Sequence, residues 1–176
     1  MADRAQKRQR AASGAPAVAC RACVASSKGR KHTMEDVALL VDALDEAAGP
    51  PRRALYAVFD GHGGRDCADW VSQRLPGLVR HELDNNATAG ASANSKAGGS
   101  SSTAATVKEA LRRSFALCDT ELLRACDDEK WCDGCCAVTA LLELDAAPPR
   151  GCVANLRDSP LLLLEHGLLV EIYCYV

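Results

Sequence analysis

The sequence predicts an α+β fold that contains antiparallel sheet. Apolar runs of strand length precede and follow two long segments with helical periodicity, so strands and helices do not alternate along the chain. Clustered strands and clustered helices are typical of α+β domains, whereas strict alternation indicates a parallel sheet. Of the 176 residues, 48% are hydrophobic and 25% are charged. This is ordinary composition for one globular domain.

The first half of the chain begins with residues that lack periodicity. Residues 1–19 are rich in Ala, Arg and Gln, and we expect them to form a disordered, basic lead-in to a domain over residues 20–176. Within that domain, short apolar runs predict strands over 20–26, 36–41 and 54–59.

Two helices are expected to follow. Apolar residues recur at spacings of three and four over 65–83 and again over 106–126, which is the period of one helical face. Pro76 is expected to kink or divide the first helix. Between the helices, residues 85–103 are rich in Ala, Gly, Ser and Asn and predict a flexible loop.

The last part of the chain returns to strands. Apolar runs predict strands over 136–144 and 152–155, separated by a turn that contains Pro148 and Pro149. The leucine-rich runs 161–164 and 168–172 predict a hairpin.

Composition and charge exclude several classes of function. Residues 1–31 carry eight Lys or Arg, whereas the rest of the chain is acidic and only 4% of all residues are aromatic, so nucleic-acid binding is not expected. No run reaches the roughly 18 apolar residues that span a bilayer, so no membrane association is expected. The start has no apolar signal region, which favours an intracellular protein, cytoplasmic or nuclear, with its ten cysteines reduced.

The most informative motif follows the run over 54–59. Asp60, Gly61 and His62 stand at the end of an apolar strand and are followed by two more glycines. A carboxylate and a bare backbone carbonyl at a strand end suit the hard cations Mg²⁺ and Mn²⁺, and histidine exchanges protons near neutral pH. The same residues are also consistent with an ordinary turn in which Asp60 caps a helix.

A second motif precedes the run over 36–41. Arg30 and Lys31 are followed closely by Glu35 and Asp36. Cations of this kind bind phosphate, and carboxylates hold a metal or its waters, although such a charge run alone is usually a solvated turn. If the two flanking strands pair as an antiparallel hairpin, Glu35 and Asp60 lie at the same end.

Together the motifs resemble those of a known family. The pattern G-R-K-x-x-M-E-D followed by V-F-D-G-H-G-G is similar to that of the metal-dependent protein serine/threonine phosphatases of type 2C. Residues 133–138 resemble the family's glycine turn and following strand, and residues 153–159 resemble its V-A-N-x-G-D-S segment. The resemblance covers about residues 22–172.

The resemblance implies a fold and a reaction. The fold is a four-layer αββα sandwich of two antiparallel sheets flanked by helices, of which this chain carries the N-terminal part. The reaction is hydrolysis of phosphorylated proteins by a water that two Mg²⁺ or Mn²⁺ ions activate.

The resemblance also assigns roles to individual residues. His62 protonates the leaving oxygen, and the substrate phosphate meets Lys31 and Arg30. The metal ligands are Asp60, Gly61, Glu35, Asp36 and Asp158.

Several departures from the family pattern predict reduced or absent activity. Lys31 stands where the family has Arg, and Arg157 replaces a Gly. Two further metal-binding aspartates of the family have no counterpart after Asp158. Sheet edges left uncovered in such a partial sandwich are expected to cause self-association.

Three alternatives remain open at this stage. An inactive phosphatase-like module would bind phosphoprotein partners without hydrolysis, and the missing carboxylates favour it. The Cys-x-x-Cys pairs at 20–23 and 132–135 have zinc-site spacing but lie far apart in the sequence. A redox sensor would use Cys132, Cys135 or Cys136, although no arrangement of cations predicts a low thiol pKa there.

Overall fold

A four-stranded antiparallel sheet with two long helices forms the main body of the structure. The computed structural model describes residues 20, 22–45, 52–92, 101–146, 149–156, 161–165 and 168–172. The sheet has the order β1-β2-β3-β4, with β1 at Val37–Val41, β2 at Arg53–His62, β3 at Gly134–Glu143 and β4 at Arg150–Leu156. The helices are α1 at Asp66–Ser92 and α2 at Ser101–Glu129. A separate two-stranded sheet pairs β5 at Leu161–Glu165 with β6 at Leu168–Ile172.

The alternation of side chains along β2 decides which face of the sheet is covered. Leu55, Ala57 and Phe59 are buried in the core cluster that includes both helices. Val58 and Asp60 point to the opposite face and are exposed, because successive side chains of a strand alternate between faces. The core therefore lies between the helices and one face of the sheet.

The helices bury the faces that the sequence predicts. In α1 the buried residues include Val71, Leu75 and Val79, and in α2 they include Val107 and Leu111. The spacing of three and four places each set on one side of its helix. Burying each large apolar side chain contributes about 1.5–3 kcal/mol, so the helix–sheet interface dominates the stability of this layer.

Both helices are longer than their apolar patterns indicate. α1 runs through Pro76 as one helix to Ser92, and α2 begins at Ser101, so the loop expected over 85–103 is helical at both of its ends. Residues 93–100 lie outside the described part of the chain. Ala has the highest helix propensity, which favours the continuation of a helix through an Ala-rich segment.

The strand predictions are confirmed with one exception. Strands cover the runs predicted over 36–41, 54–59, 136–144 and 152–155 to within a few residues at their ends, and β5 and β6 form the predicted hairpin with Leu161 opposite Ile172. The strand predicted over 20–26 is wrong: its described residues are irregular and mostly exposed. That segment finds no partner strand among the described residues. The lead-in over 1–19 lies outside them.

Candidate active site

The pairing of β1 with β2 brings the two charged motifs together. The strands are antiparallel, with Val37 opposite Phe59. Extending this register by one residue places Asp36 across from Asp60. The predicted hairpin is therefore confirmed, and the segment that carries Glu35 lies beside the segment that carries Asp60.

Gly61 shows how closely the two motifs approach. A Cβ atom at this position would lie 2.5 Å from the backbone carbonyl oxygen of Glu35 and 3.0 Å from that of Gly64. Only a glycine leaves room for this contact. The buried Gly61 thus fixes the distance between the Glu35 backbone and the end of β2.

His62 is held against the first residue of β3. The register places His62 opposite Gly134, and a Cβ atom at Gly134 would lie 2.8 Å from His62 Nε2. The missing side chain at Gly134 therefore provides the space that the imidazole ring fills. His62 remains exposed, so a ligand can reach its ring.

Asp133 organises the loop between β2 and α1, a role that the sequence did not indicate. Its Oδ2 accepts a hydrogen bond of 2.9 Å from the backbone N–H of Cys67, in the first turn of α1. The first N–H groups of a helix lack internal partners, and a carboxylate there is stabilised by the helix dipole. Asp133 thus supplies a helix cap across 66 residues of sequence. Such a contact has no local sequence signal.

The expected phosphate-binding residues lie in a turn at the surface. The backbone N–H of Lys31 donates to the carbonyl of Lys28 at 3.0 Å, and Arg30 and Lys31 are both exposed. Arg65 tethers the segment to the start of α1, which it directly precedes, because its Nη1 donates to the Met34 carbonyl at 3.2 Å. The described contacts place no side-chain atom of Arg30 or Lys31 against Asp60.

A cavity of about 540 Å³ opens beside His62. It lies between α2, the start of β3 and the end of β4, and its lining includes His62, Asp133, Cys135 and Leu156. Burial raises the pKa of the Cys135 thiol to about 11, and the neighbouring Cys136 and the charges of Asp133 and Asp60 act in the same direction. Two carboxylates, those of Asp133 and Asp60, therefore act on this thiol.

The predicted metal ligands are brought together only in part. Asp60 and Gly61 offer oxygen donors of the kind that Mg²⁺ and Mn²⁺ prefer, and Glu35 and Asp36 lie on the adjacent segment. Across the described residues, however, no three His, Cys, Asp or Glu side chains are grouped to hold one metal ion. Asp158 lies outside the described part of the chain. The described donors therefore do not complete a metal site.

Comparison with known proteins identifies the family. A sequence model described as Protein phosphatase 2C matches residues 21–168. The chain belongs to the protein phosphatase 2C family. The resemblance carried by the two motifs is thus confirmed, and the family is one of metal-dependent hydrolases that act as protein phosphatases.

Curated relatives come from plants and animals. The chain is 33% identical over 173 residues to "Probable protein phosphatase 2C 68" of Oryza sativa subsp. japonica, covering 90% of this chain and 45% of that protein. It is 30% identical over 152 residues to "Integrin-linked kinase-associated serine/threonine phosphatase 2C" of Homo sapiens, covering 82% of this chain and 34% of that protein. The chain therefore spans less than half the length of these curated relatives.

A solved phosphatase supports the fold. The chain superposes on the crystal structure of serine-threonine phosphatase 2C from Toxoplasma gondii with a TM-score of 0.52 and 17% identity, covering 83% of this chain and 46% of that one. The predicted α+β class and the partial sandwich architecture are thus confirmed at the level of the fold. Among the described residues, no helix is long and apolar enough to cross a membrane.

Proposed function

We propose that this chain carries part of the active site of a protein serine/threonine phosphatase and that, by itself, it has reduced or no activity. The observation that supports the proposal is the pairing of β1 with β2, which joins the segment of Glu35 to Asp60–Gly61 in a member of the phosphatase 2C family. The incomplete donor set among the described residues is the reason to expect reduced activity.

The oxygen donors at this end of the sheet suit a divalent cation. We propose Asp60 as the main ligand, with the Gly61 carbonyl, Glu35 and Asp36 around it, and Asp158 as a further ligand on the strength of the motif alone. Bound Mg²⁺ or Mn²⁺ would supply a water of lowered pKa. With few carboxylates at the site, such a cation stays mostly hydrated and is held weakly.

His62 is the proposed general acid. It stands at the rim of the cavity, exposed to solvent and supported by Gly134. An imidazole at this position can donate a proton to the seryl or threonyl oxygen that leaves phosphorus.

Arg30 and Lys31 are the proposed contacts of the substrate phosphate. Both are exposed cations on the segment that Arg65 tethers to α1. Arg binds a phosphate through a planar fork of donors, whereas Lys acts as a point charge. We therefore expect the loss of Arg30 to weaken phosphate binding more than the loss of Lys31.

The proposal is tested by phosphate release from a phosphothreonine peptide in the presence of Mn²⁺. We expect slow release that requires Mn²⁺ and is lost in Asp60→Asn, which keeps the size of the side chain and removes its charge. Asp128→Asn, an exposed change on α2 far along the sequence from both motifs, serves as the matched control and should release phosphate like the wild type. Measurable Mn²⁺-dependent release that is the same in Asp60→Asn as in the wild type would contradict the proposal.

The second candidate function is phosphoprotein binding without hydrolysis. The absence of a three-residue metal group among the described residues favours it. Fluorescence anisotropy with a phosphorylated peptide and its unphosphorylated twin separates the two candidates. Phosphate-dependent binding with no measurable release assigns the binding role, whereas release assigns the hydrolytic one.

Two further parts of the proposal concern the substrates and the compartment. We propose phosphorylated proteins as the substrates or partners, at an intracellular location that is cytoplasmic, nuclear or both. A human relative is named for its association with a protein kinase, which is consistent with protein partners for this chain.

A further inference from the structure

Two cysteines that are distant in sequence meet where the two helices approach each other. The Sγ atoms of Cys67, at the start of α1, and Cys126, near the end of α2, lie 3.5 Å apart. Both are free thiols. A disulfide bond joins sulfur atoms at about 2.05 Å, so the two Sγ atoms need to approach each other by only about 1.5 Å.

The two thiols have different environments. Cys67 is buried, with 1% of its surface exposed, and its Sγ donates to the backbone carbonyl of Asp133 at 3.3 Å. Burial, together with contacts to Cys126 and Asp133, raises the pKa of the Cys67 thiol. Both thiols line the cavity beside His62. Cys126 is only half-buried, so a small oxidant in the cavity reaches it more readily than the buried Cys67.

We propose that Cys67 and Cys126 are a site of reversible oxidation, at which a hydroperoxide converts the two thiols into a disulfide that links the start of α1 to the end of α2. Cys126 reacts first, because it is the more exposed of the two thiols. Cys67 then resolves the oxidised Cys126, because it is already in contact with it.

The reaction balances with hydrogen peroxide as the oxidant. The Cys126 thiol loses its proton, the thiolate attacks one peroxide oxygen, and the O–O bond breaks to give a sulfenic acid and hydroxide, which takes up that proton to form one water. The Cys67 sulfur then attacks the Cys126 sulfur, the S–O bond breaks, and the departing hydroxide takes the Cys67 proton to form a second water. Two thiols are oxidised by two electrons in total, and one peroxide is reduced to two waters.

The position of the pair gives the modification a structural consequence. Cys67 follows His62 by five residues, and its backbone N–H donates to Asp133 Oδ2. A disulfide would fix this end of α1 to α2, and with it the loop that leads from His62. Cys67 and Cys126 are not among the residues proposed for phosphate hydrolysis, so the two proposals are tested independently.

The sequence allows a direct test on the unmodified full chain. Trypsin cleaves after Arg65, Arg74, Arg124 and Lys130, and the resulting peptides 66–74 and 125–130 each contain a single cysteine. The chain is treated with hydrogen peroxide, its remaining thiols are alkylated under denaturing conditions, and the digest is read by mass spectrometry with and without a reducing agent.

We expect a cross-linked species of peptides 66–74 and 125–130, lighter than the two separate peptides by two hydrogen atoms and absent after reduction. Alkylation of Cys67 and Cys126 should be lost together. The buried thiol of Cys118 lies in its own peptide, 114–124, and should stay fully alkylated. This control separates pair formation from general oxidation of unfolded chain.

Two outcomes overturn the proposal. In one, Cys67 and Cys126 both remain alkylated while the exposed Cys23 is oxidised. In the other, Cys126 is oxidised to sulfinic acid with no link to Cys67. A Cys126→Ser variant adds a second check, since Cys67 should then stay reduced under the same treatment; its oxidation to the same extent as in the wild type would also contradict the pair.

Discussion

At the scale of single residues, close backbone contacts and the carboxylate of Asp133, which is distant in sequence, shape the candidate site. Gly61 and Gly134 leave room for the Glu35 carbonyl and for the His62 ring. Asp133 holds the start of α1. Each of these contacts joins residues far apart in the sequence. Substitutions at these positions therefore test the tertiary structure of the site.

Replacing Gly61 with Ala should destabilise the protein by about 1–3 kcal/mol, because the new methyl group meets a backbone carbonyl that cannot move aside cheaply. Gly77→Ala is the matched control: a Cβ there meets nothing within 4 Å, and replacing a glycine inside a helix stabilises by about 0.5–1 kcal/mol. Urea unfolding of both variants measures the difference. Equal effects at the two positions would contradict the close approach of the motifs.

Replacing Asp133 with Ala should cost about 0.5–2 kcal/mol, as the loss of a helix cap does elsewhere. Asp133→Asn keeps an oxygen that accepts from the Cys67 N–H and should recover most of this loss. The free energies of unfolding of the two variants check the assignment. If Asn proves as destabilising as Ala, the cap is not the reason for the effect.

At the scale of helices and strands, the sequence predicts most of the architecture. The apolar run that forms β2 and the spacing of three and four in α1 and α2 are strong local signals, and most of the residues that they mark are buried. The extent of the helices is less predictable, since Ala-rich segments extend a helix through propensity alone. The strand expected over 20–26 fails because a short apolar run forms a strand only where a neighbour pairs with it.

The candidate site, like the fold, is only partly predictable from the sequence. The two charged motifs are recognisable locally, and one hairpin suffices to bring them together. The contacts of Asp133 with Cys67 and of Cys67 with Cys126 depend on how α1 meets α2 and β3. Separations of 66 and 59 residues leave no pattern from which those contacts follow.

A cluster of ion pairs on α2 makes the stability of the chain depend on pH. Glu109 accepts hydrogen bonds from Arg112 and Arg113, which lower the pKa of its carboxyl to about 2. Because this pKa is lowered, the ion pairs of Glu109 stabilise the folded chain at pH values above the ordinary glutamate pKa. This stabilisation is lost as the pH falls from about 4.5 towards 2. The difference in Tm between wild type and Glu109→Gln should shrink over this range and also in high salt. A difference that is the same at every pH would contradict the ion pairs.

At the scale of the whole molecule, one face of the four-stranded sheet is open in the described structure. Leu40 and Val58 on this face are each 45% exposed, and β1 and β4 are the edge strands of the sheet. Exposed apolar surface and unpaired strand edges both favour association between chains.

We therefore expect the chain to self-associate, as judged by sedimentation velocity, and to bind a hydrophobic dye. Changing Leu40 and Val58 together to Thr should reduce both effects. Leu123→Thr, which alters an exposed leucine on α2, is the control and should leave association unchanged. A monodisperse wild-type monomer that unfolds cooperatively above about 55 °C, within the usual range for mesophile domains, would show that the open face is harmless.

We propose above all that the end of the β1–β2 hairpin binds a divalent cation through Asp60. Titration with Mn²⁺ in a calorimeter tests it most directly, on the full chain and on Asp60→Ala, with Asp128→Asn as the control for loss of surface charge. We expect weak binding to the wild type and the control and none to Asp60→Ala. Binding of unchanged affinity and stoichiometry in Asp60→Ala would contradict it and place any metal site elsewhere in the chain.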